Sequence, residues 1–170
     1  MWMTTAMMGS MTFRSLGINA RRILDFLLFE HASHGGKENG NLGATYLQLE
    51  AWGVTSTDIR KGFAELYATG FVELTKQGAR VAGGDQSRYA LTWLPTLPGT
   101  PDAMPPSHAW SRMADRLYRE GRNDLPAIKA WLKEQTADHR RKPRPTKQDA
   151  TPQLHPLSPR NCRVIAGGKA

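Results

Sequence analysis

The sequence predicts an α+β domain over residues 18–95, with three helices followed by a two-stranded hairpin. A short helical extension and a basic tail come after it. Three observations predict this. Apolar residues repeat with a helical period up to Thr69 and with a period of two from Phe71. All eleven prolines lie between Pro95 and Pro159, so residues 1–94 are free of the residue that interrupts helices and central strands. Charge divides along the chain as well. Residues 1–98 carry nine Lys/Arg against eight Asp/Glu, net +1; residues 99–138 carry six of each; residues 139–170 carry eight Lys/Arg against Asp149 alone, net +7. The overall charge of +8 is therefore mostly a property of the tail. A length of 170 residues suits one ordinary domain with appendages. The expected organisation is a disordered N-terminus (1–17), the domain (18–95), a Pro-rich linker (96–107), a helical hairpin (108–138) and a disordered basic tail (139–170).

Residues 1–17 contain five methionines and no acid, and their first basic residue is Arg14, so the pattern of a secretory leader is lacking. The segment reads as an unstructured start, with Met11 as an alternative initiator. Asn19 is placed to cap a helix that runs to about His31. Ile23, Leu24, Leu27 and Leu28 form its apolar stripe, and Gly35-Gly36 ends it in a loop. Asn41–Ala44 is a short extended link. Thr45 caps a helix over Tyr46–Trp52, which Gly53-Val54 breaks. Thr55 and Asp58 form a capping-box-like pair at the start of a third helix, Ser56 to about Thr69. Ile59, Phe63, Leu66 and Tyr67 turn inward, and Gly70 stops the helix. Phe71–Thr75 alternates as a half-buried strand, Lys76–Gln86 is a loop, and Arg88–Leu94 is the returning strand.

The run Leu49-Glu50-Ala51-Trp52-Gly53-Val54-Thr55-Ser56-Thr57-Asp58-Ile59, followed by Gly70-Phe71-Val72-Glu73-Leu74, resembles the winged helix-turn-helix domain. Bacterial transcription regulators and some plasmid and phage replication proteins carry this domain. The resemblance covers Ile18 to Pro95. It departs from the pattern in the long loop His31–Asn41 and in Gly62 within the third helix, where glycine costs about 1 kcal/mol relative to alanine. The resemblance implies that the third helix enters a major groove of double-stranded DNA and that the hairpin acts as a wing.

With Ile59, Phe63 and Leu66 inward, Ser56, Thr57, Arg60, Lys61 and Ala64 fall on the outer face. Arg60 can fork onto guanine O6 and N7. Ser56 and Thr57 can bond bases or phosphates, and Lys61 suits a phosphate. The competing reading of this face is an ordinary solvated helix surface. On the hairpin, Lys76, Gln77, Arg80, Gln86 and Arg88 are candidates for backbone or minor-groove contact, Arg80 first among them. Tyr46 and Gln48, at the start of the second helix, can hold phosphates, although packing explains Tyr46 equally well.

Past the linker, Ser107 is placed to cap a helix to Gly121 with a stripe of Trp110, Met113, Ala114, Leu117 and Tyr118. Asn123 or Asp124 caps a second helix, with Leu125, Ile128, Trp131 and Leu132 as its stripe. These two stripes need a cover beyond themselves: each other together with the winged domain, over the wing's outer face, a second copy of the chain in a homodimer, or a separate partner. The basic run His139–Lys147 reads as a phosphate-binding arm or as a solubilising tail.

Other chemistry finds little footing. One cysteine, Cys162, excludes an intramolecular disulfide and has no acid–base setting. His31 and His34 lack a third metal ligand nearby in sequence. No cofactor, metal or small-molecule ligand is expected, and no enzymatic activity. The longest apolar run, Ile23–Phe29, is broken by Asp25 and is far short of a membrane span, so a cytoplasmic protein with no membrane partner is expected. The leading expectation is a sequence-specific DNA-binding transcription regulator. A replication or mobile-element protein is the nearest alternative. The near-neutral charge of the domain also keeps a winged-helix protein-interaction adaptor in play.

Overall fold

The computed structural model describes residues 3–79 and 85–137. Among these residues it contains seven α-helices and one three-stranded antiparallel sheet, an α+β arrangement.

The N-terminal segment is a correction to the expected disorder. It forms two short helices, α1 (Thr5–Gly9) and α2 (Met11–Ser15). Thr4 caps the first, its hydroxyl accepting from Met7 N at 3.2 Å. Ser10 caps the second, accepting from Phe13 N at 3.2 Å. Helices this short depend on packing for their stability. Met7 and Leu16 are buried in the core, and Phe13 meets Phe71 edge-on at 5.8 Å between ring centroids.

The long helix α3 (Ile18–Ser33) follows, with Gly17 rather than Asn19 at its N-cap. Asn19 reaches across the fold instead. Its Nδ2 donates to Asp58 Oδ2 at 3.1 Å and its Oδ1 accepts from Thr55 N at 3.3 Å. Strand β1 (Leu42–Gly43) confirms the short extended link. Helix α4 (Tyr46–Ala51) starts with the full Thr45/Gln48 capping box, and Gly53, at φ +88°, makes the turn out of it. Arg22 of α3 donates to Gly53 O and ties that turn down.

A single 3-10 turn, Ser56–Asp58, leads into α5 (Ile59–Ala68). Thr55 makes no side-chain cap, so the expected Thr55–Asp58 capping box does not form. The donor and acceptor come from Asn19. Gly62 allows close approach of α3 and α5, since a Cβ there would lie 2.6 Å from Ile23 Cδ1 and 3.4 Å from backbone atoms of Asn19 and Ala20.

Strands β2 (Val72–Lys76) and β3 (Arg88–Leu91) complete the sheet in the order β1-β3-β2, with Val72 opposite Leu91 and Leu74 opposite Tyr89. The half-buried alternation expected of β2 holds only at its start, where Val72 is buried; Leu74 is exposed. β3 is also shorter than expected, because the chain turns after Leu91, yet Trp93 remains in the core. The core gathers Ile23, Leu24, Leu27, Leu49, Ile59, Leu66, Phe71 and Leu91.

The Pro-rich segment is not extended. Thr96 bridges to Met104, and Leu97 N donates to Asn39 O at 2.7 Å. Asn39 is fully buried; its Nδ2 is shared among the carbonyls of Leu91, Leu94 and Pro95. Helix α6 (Ala109–Arg119) starts after His108 at φ +48°, not from a Ser107 cap. The Ser107 hydroxyl donates to Glu73 instead, at 2.8 Å. Asp124 caps α7 (Leu125–Gln135) as expected.

Leu117, Ile128 and Leu132 are buried together with Ala68, Met113 and Trp131. α6 and α7 pack on α2 and α5 of the same chain. The cover for these stripes is therefore intramolecular. It lies on α2 and α5 and buries Leu117, Ile128 and Leu132, while Tyr118 of the expected stripe stays 70% exposed. The basic tail, 139–170, lies outside the described residues.

Candidate functional site

Helix α5 is packed from two sides, by α3 and by α7, so only a narrow arc of it meets solvent. Thr57 and Arg60 are exposed on that arc, and Ser56 is half-buried beside them. Arg60 makes no hydrogen bond or ion pair among the described residues. Two residues expected on the outer face are placed differently. Ala64 is buried, because the packed arc is wider than a helix with one covered side would have. Lys61 is half-buried and pairs with Glu65 at 3.7 Å. Glu65 is itself buried and accepts from Gly17 N at 2.8 Å, so Lys61 helps to hold α3 on α5 and is not a free phosphate contact.

A groove of about 1050 Å³ opens between the start of α4, the exposed arc of α5 and the hairpin. Tyr46, Arg60, Phe63, Tyr67, Leu74 and Tyr89 line it. The sequence reasoning singled out Tyr46, Arg60, Gln77 and Gln86, and the fold brings these four into one site. It missed the aromatic wall. Phe63 stacks on Tyr89 at 4.6 Å and 18°, and Tyr67 lies along Phe63 at 5.9 Å and 27°. The Tyr67 hydroxyl donates to that of Tyr89, and burial pushes both phenols above their usual range. Helical spacing carried a usable signal for this wall: Arg60 and Tyr67 are two turns apart and share a stripe.

On the hairpin, Lys76 is exposed but pairs with Asp85 at 2.7 Å, and this bond holds the Asp85 carboxyl below the usual range. Exposed pairs of this kind exchange readily with other partners. Arg88 is half-buried and donates to Asn41 O at 3.1 Å, which spends part of its guanidinium on the sheet edge. Gln77 is exposed and Gln86 half-buried. Arg80 lies outside the described residues.

Cys162 lies outside the described residues. Among the described residues no three His, Cys, Asp or Glu side chains come together as a metal site, and no helix is long and apolar enough to cross a membrane. His34 turns back on its own helix, its Nδ1 2.9 Å from Glu30 O. No known family model, curated protein or solved structure matches the chain.

Proposed function

We propose that the chain is a winged helix-turn-helix protein that binds double-stranded DNA sequence-specifically and regulates transcription. In this reading α4 and α5 are the helix-turn-helix, α5 is the reading helix and β2–β3 is the wing. The observation that carries the reading is Arg60, an exposed cation near the N-terminus of α5, without an ion pair among the described residues and next to the groove that separates helix from hairpin. The element order supports it, since α3, β1, α4, α5, β2 and β3 follow one another as the resemblance implies.

The mechanism is binding alone. Arg60 forks onto a guanine, Thr57 and Ser56 bond neighbouring bases or phosphates, and Tyr46 and the hairpin cations hold the backbone. The Asn19 clamp on Thr55 and Asp58 fixes the start of α5, which keeps the reading side chains on a rigid support.

The test is a mobility shift with genomic fragments at two salt concentrations, followed by Arg60→Ala on the best site. A loss of about 1–3 kcal/mol with relaxed preference at one base pair is expected. Unchanged affinity in a folded variant refutes the assignment. The adaptor alternative draws on Leu47, 79% exposed on α4, and on the near-neutral domain. It predicts DNA binding that is unselective and vanishes with the tail. A replication or mobile-element role would use the same contacts and is separated by where in the genome the preferred fragments lie.

A further inference from the structure

Large apolar side chains left in water are usually scattered singly. Here Tyr46, Tyr67 and Leu74, at 44%, 38% and 42% exposure, converge on one groove. Resting on the DNA-binding reading, we propose that this groove takes one unpaired nucleobase, so that the protein favours sites with an extruded, mismatched or single-stranded base over the intact duplex.

The lining matches the parts of a nucleotide. The Tyr46 and Tyr67 rings offer faces for stacking, which tolerates any base because every base has a π-face. Gln77, exposed in the lining, offers an amide to the base edge. The Gln86 amide packs over Gly43 of β1, where a Cβ would lie 2.6 Å from its Nε2, and closes that side of the groove. Arg60 stands in the same lining and, at a site with an unpaired base, turns from the guanine edge to the phosphate of that nucleotide. The volume of about 1050 Å³ is at the upper end for ligand clefts, and it accommodates a nucleotide with room for entry.

Charge decides between a nucleotide and an apolar peptide. The one acid in the lining, Asp85, is already paired with Lys76. A neutral apolar segment laid in the groove would strip water from Arg60 and give no counter-charge, which is unfavourable. A phosphate supplies the counter-charge. A base that remains stacked in a duplex has both faces covered, so only an unpaired one can use the rings.

The test uses the full chain and three labelled probes: the preferred duplex, the same duplex with one unpaired 2-aminopurine, and the corresponding single strand. The duplex with the unpaired base should bind about tenfold tighter than the intact duplex, with quenching of the 2-aminopurine fluorescence as the base stacks. Tyr67→Leu, which keeps apolar bulk but removes the ring, should abolish that gain, and Tyr67→Phe should retain it. Quenching in the unmodified protein reads stacking directly, so the proposal remains testable if Tyr67→Leu fails to fold. Binding of the intact duplex with no gain and no quenching for the unpaired base overturns this inference alone and leaves the groove to a peptide. Binding of no DNA in any form overturns the parent reading and this one with it.

Discussion

Replacing Gly62 by alanine sets two physical effects against each other at the contact that positions α5 on α3. Helix propensity alone favours alanine by about 1 kcal/mol. The new methyl would sit 2.6 Å from Ile23 Cδ1, in a wall where Ile23 is fully buried, and 3.4 Å from the backbone at Asn19 and Ala20. Overpacking a filled core costs about 1–3 kcal/mol. The side-chain end can move, but only into other core atoms, and the backbone cannot yield cheaply. A net destabilisation of about 1 kcal/mol is expected. The double variant makes the reasoning sharper. Ile23→Val removes the obstructing Cδ1 and by itself costs about 0.5–1.5 kcal/mol. With that atom gone the propensity gain is recovered, so Gly62→Ala/Ile23→Val should be at least as stable as Ile23→Val alone. Urea denaturation of the four proteins of the cycle measures the coupling. If Gly62→Ala stabilises the unmodified chain, or if the two penalties simply add, the close approach of α3 and α5 does not explain this glycine.

Three further outcomes follow from the same structure. Arg60→Ala should lose about 1–3 kcal/mol of binding to the best site and relax one base-pair preference, measured by mobility shift across a panel of single-substitution sites. Burial holds the His31 imidazole below its usual pKa, so the folded state binds fewer protons than the unfolded one. Its contribution is present above about pH 6.5 and is lost as the pH falls below that value, so Tm should drop between pH 7.5 and 5.5, and His31→Gln should flatten the drop. Truncation at Asp138 should reduce the salt slope of DNA binding by roughly two to four and leave the ranking of sites unchanged, as expected of an arm that meets phosphates without reading bases. Equal slopes with and without the tail would make it a solubilising extension only.

The elements that sequence reasoning recovered are those whose cause is local. The Thr45 cap, the stripe of Ile23, Leu24 and Leu27, the glycines at 53 and 70 and the Asp124 cap all act within one or two turns. The features it missed are made by partners distant in sequence. Asn19 has the chemistry of a cap, and it does serve a helix start, but that of α5, 36 residues on. The N-terminal methionines look unstructured by pattern, yet Met7 and Leu16 find the core once α2 has docked under α6 and α7. Asn39, in what reads as a polar loop, closes the turn after β3 through carbonyls more than 50 residues away.

The same distinction explains which part of the candidate site was visible. A helix with one covered side has a broad outer face, and from that geometry Thr57, Arg60, Lys61 and Ala64 all point to solvent. α7 adds a second covering on α5, a contact between elements separated by the whole hairpin and linker. Burial then claims Ala64, and Lys61 turns to Glu65, which leaves on the open arc Thr57, Arg60 and also Tyr67, 38% exposed where an inward place was expected of it. Narrowing the arc therefore also sets a cation beside an aromatic wall. Duplex reading needs only the cation and its neighbours at the start of the helix. If the wall takes an unpaired base as proposed, Tyr67→Leu and Arg60→Ala should give different patterns across intact and unpaired probes: the first should lose only the gain for the unpaired base, and the second should weaken every probe.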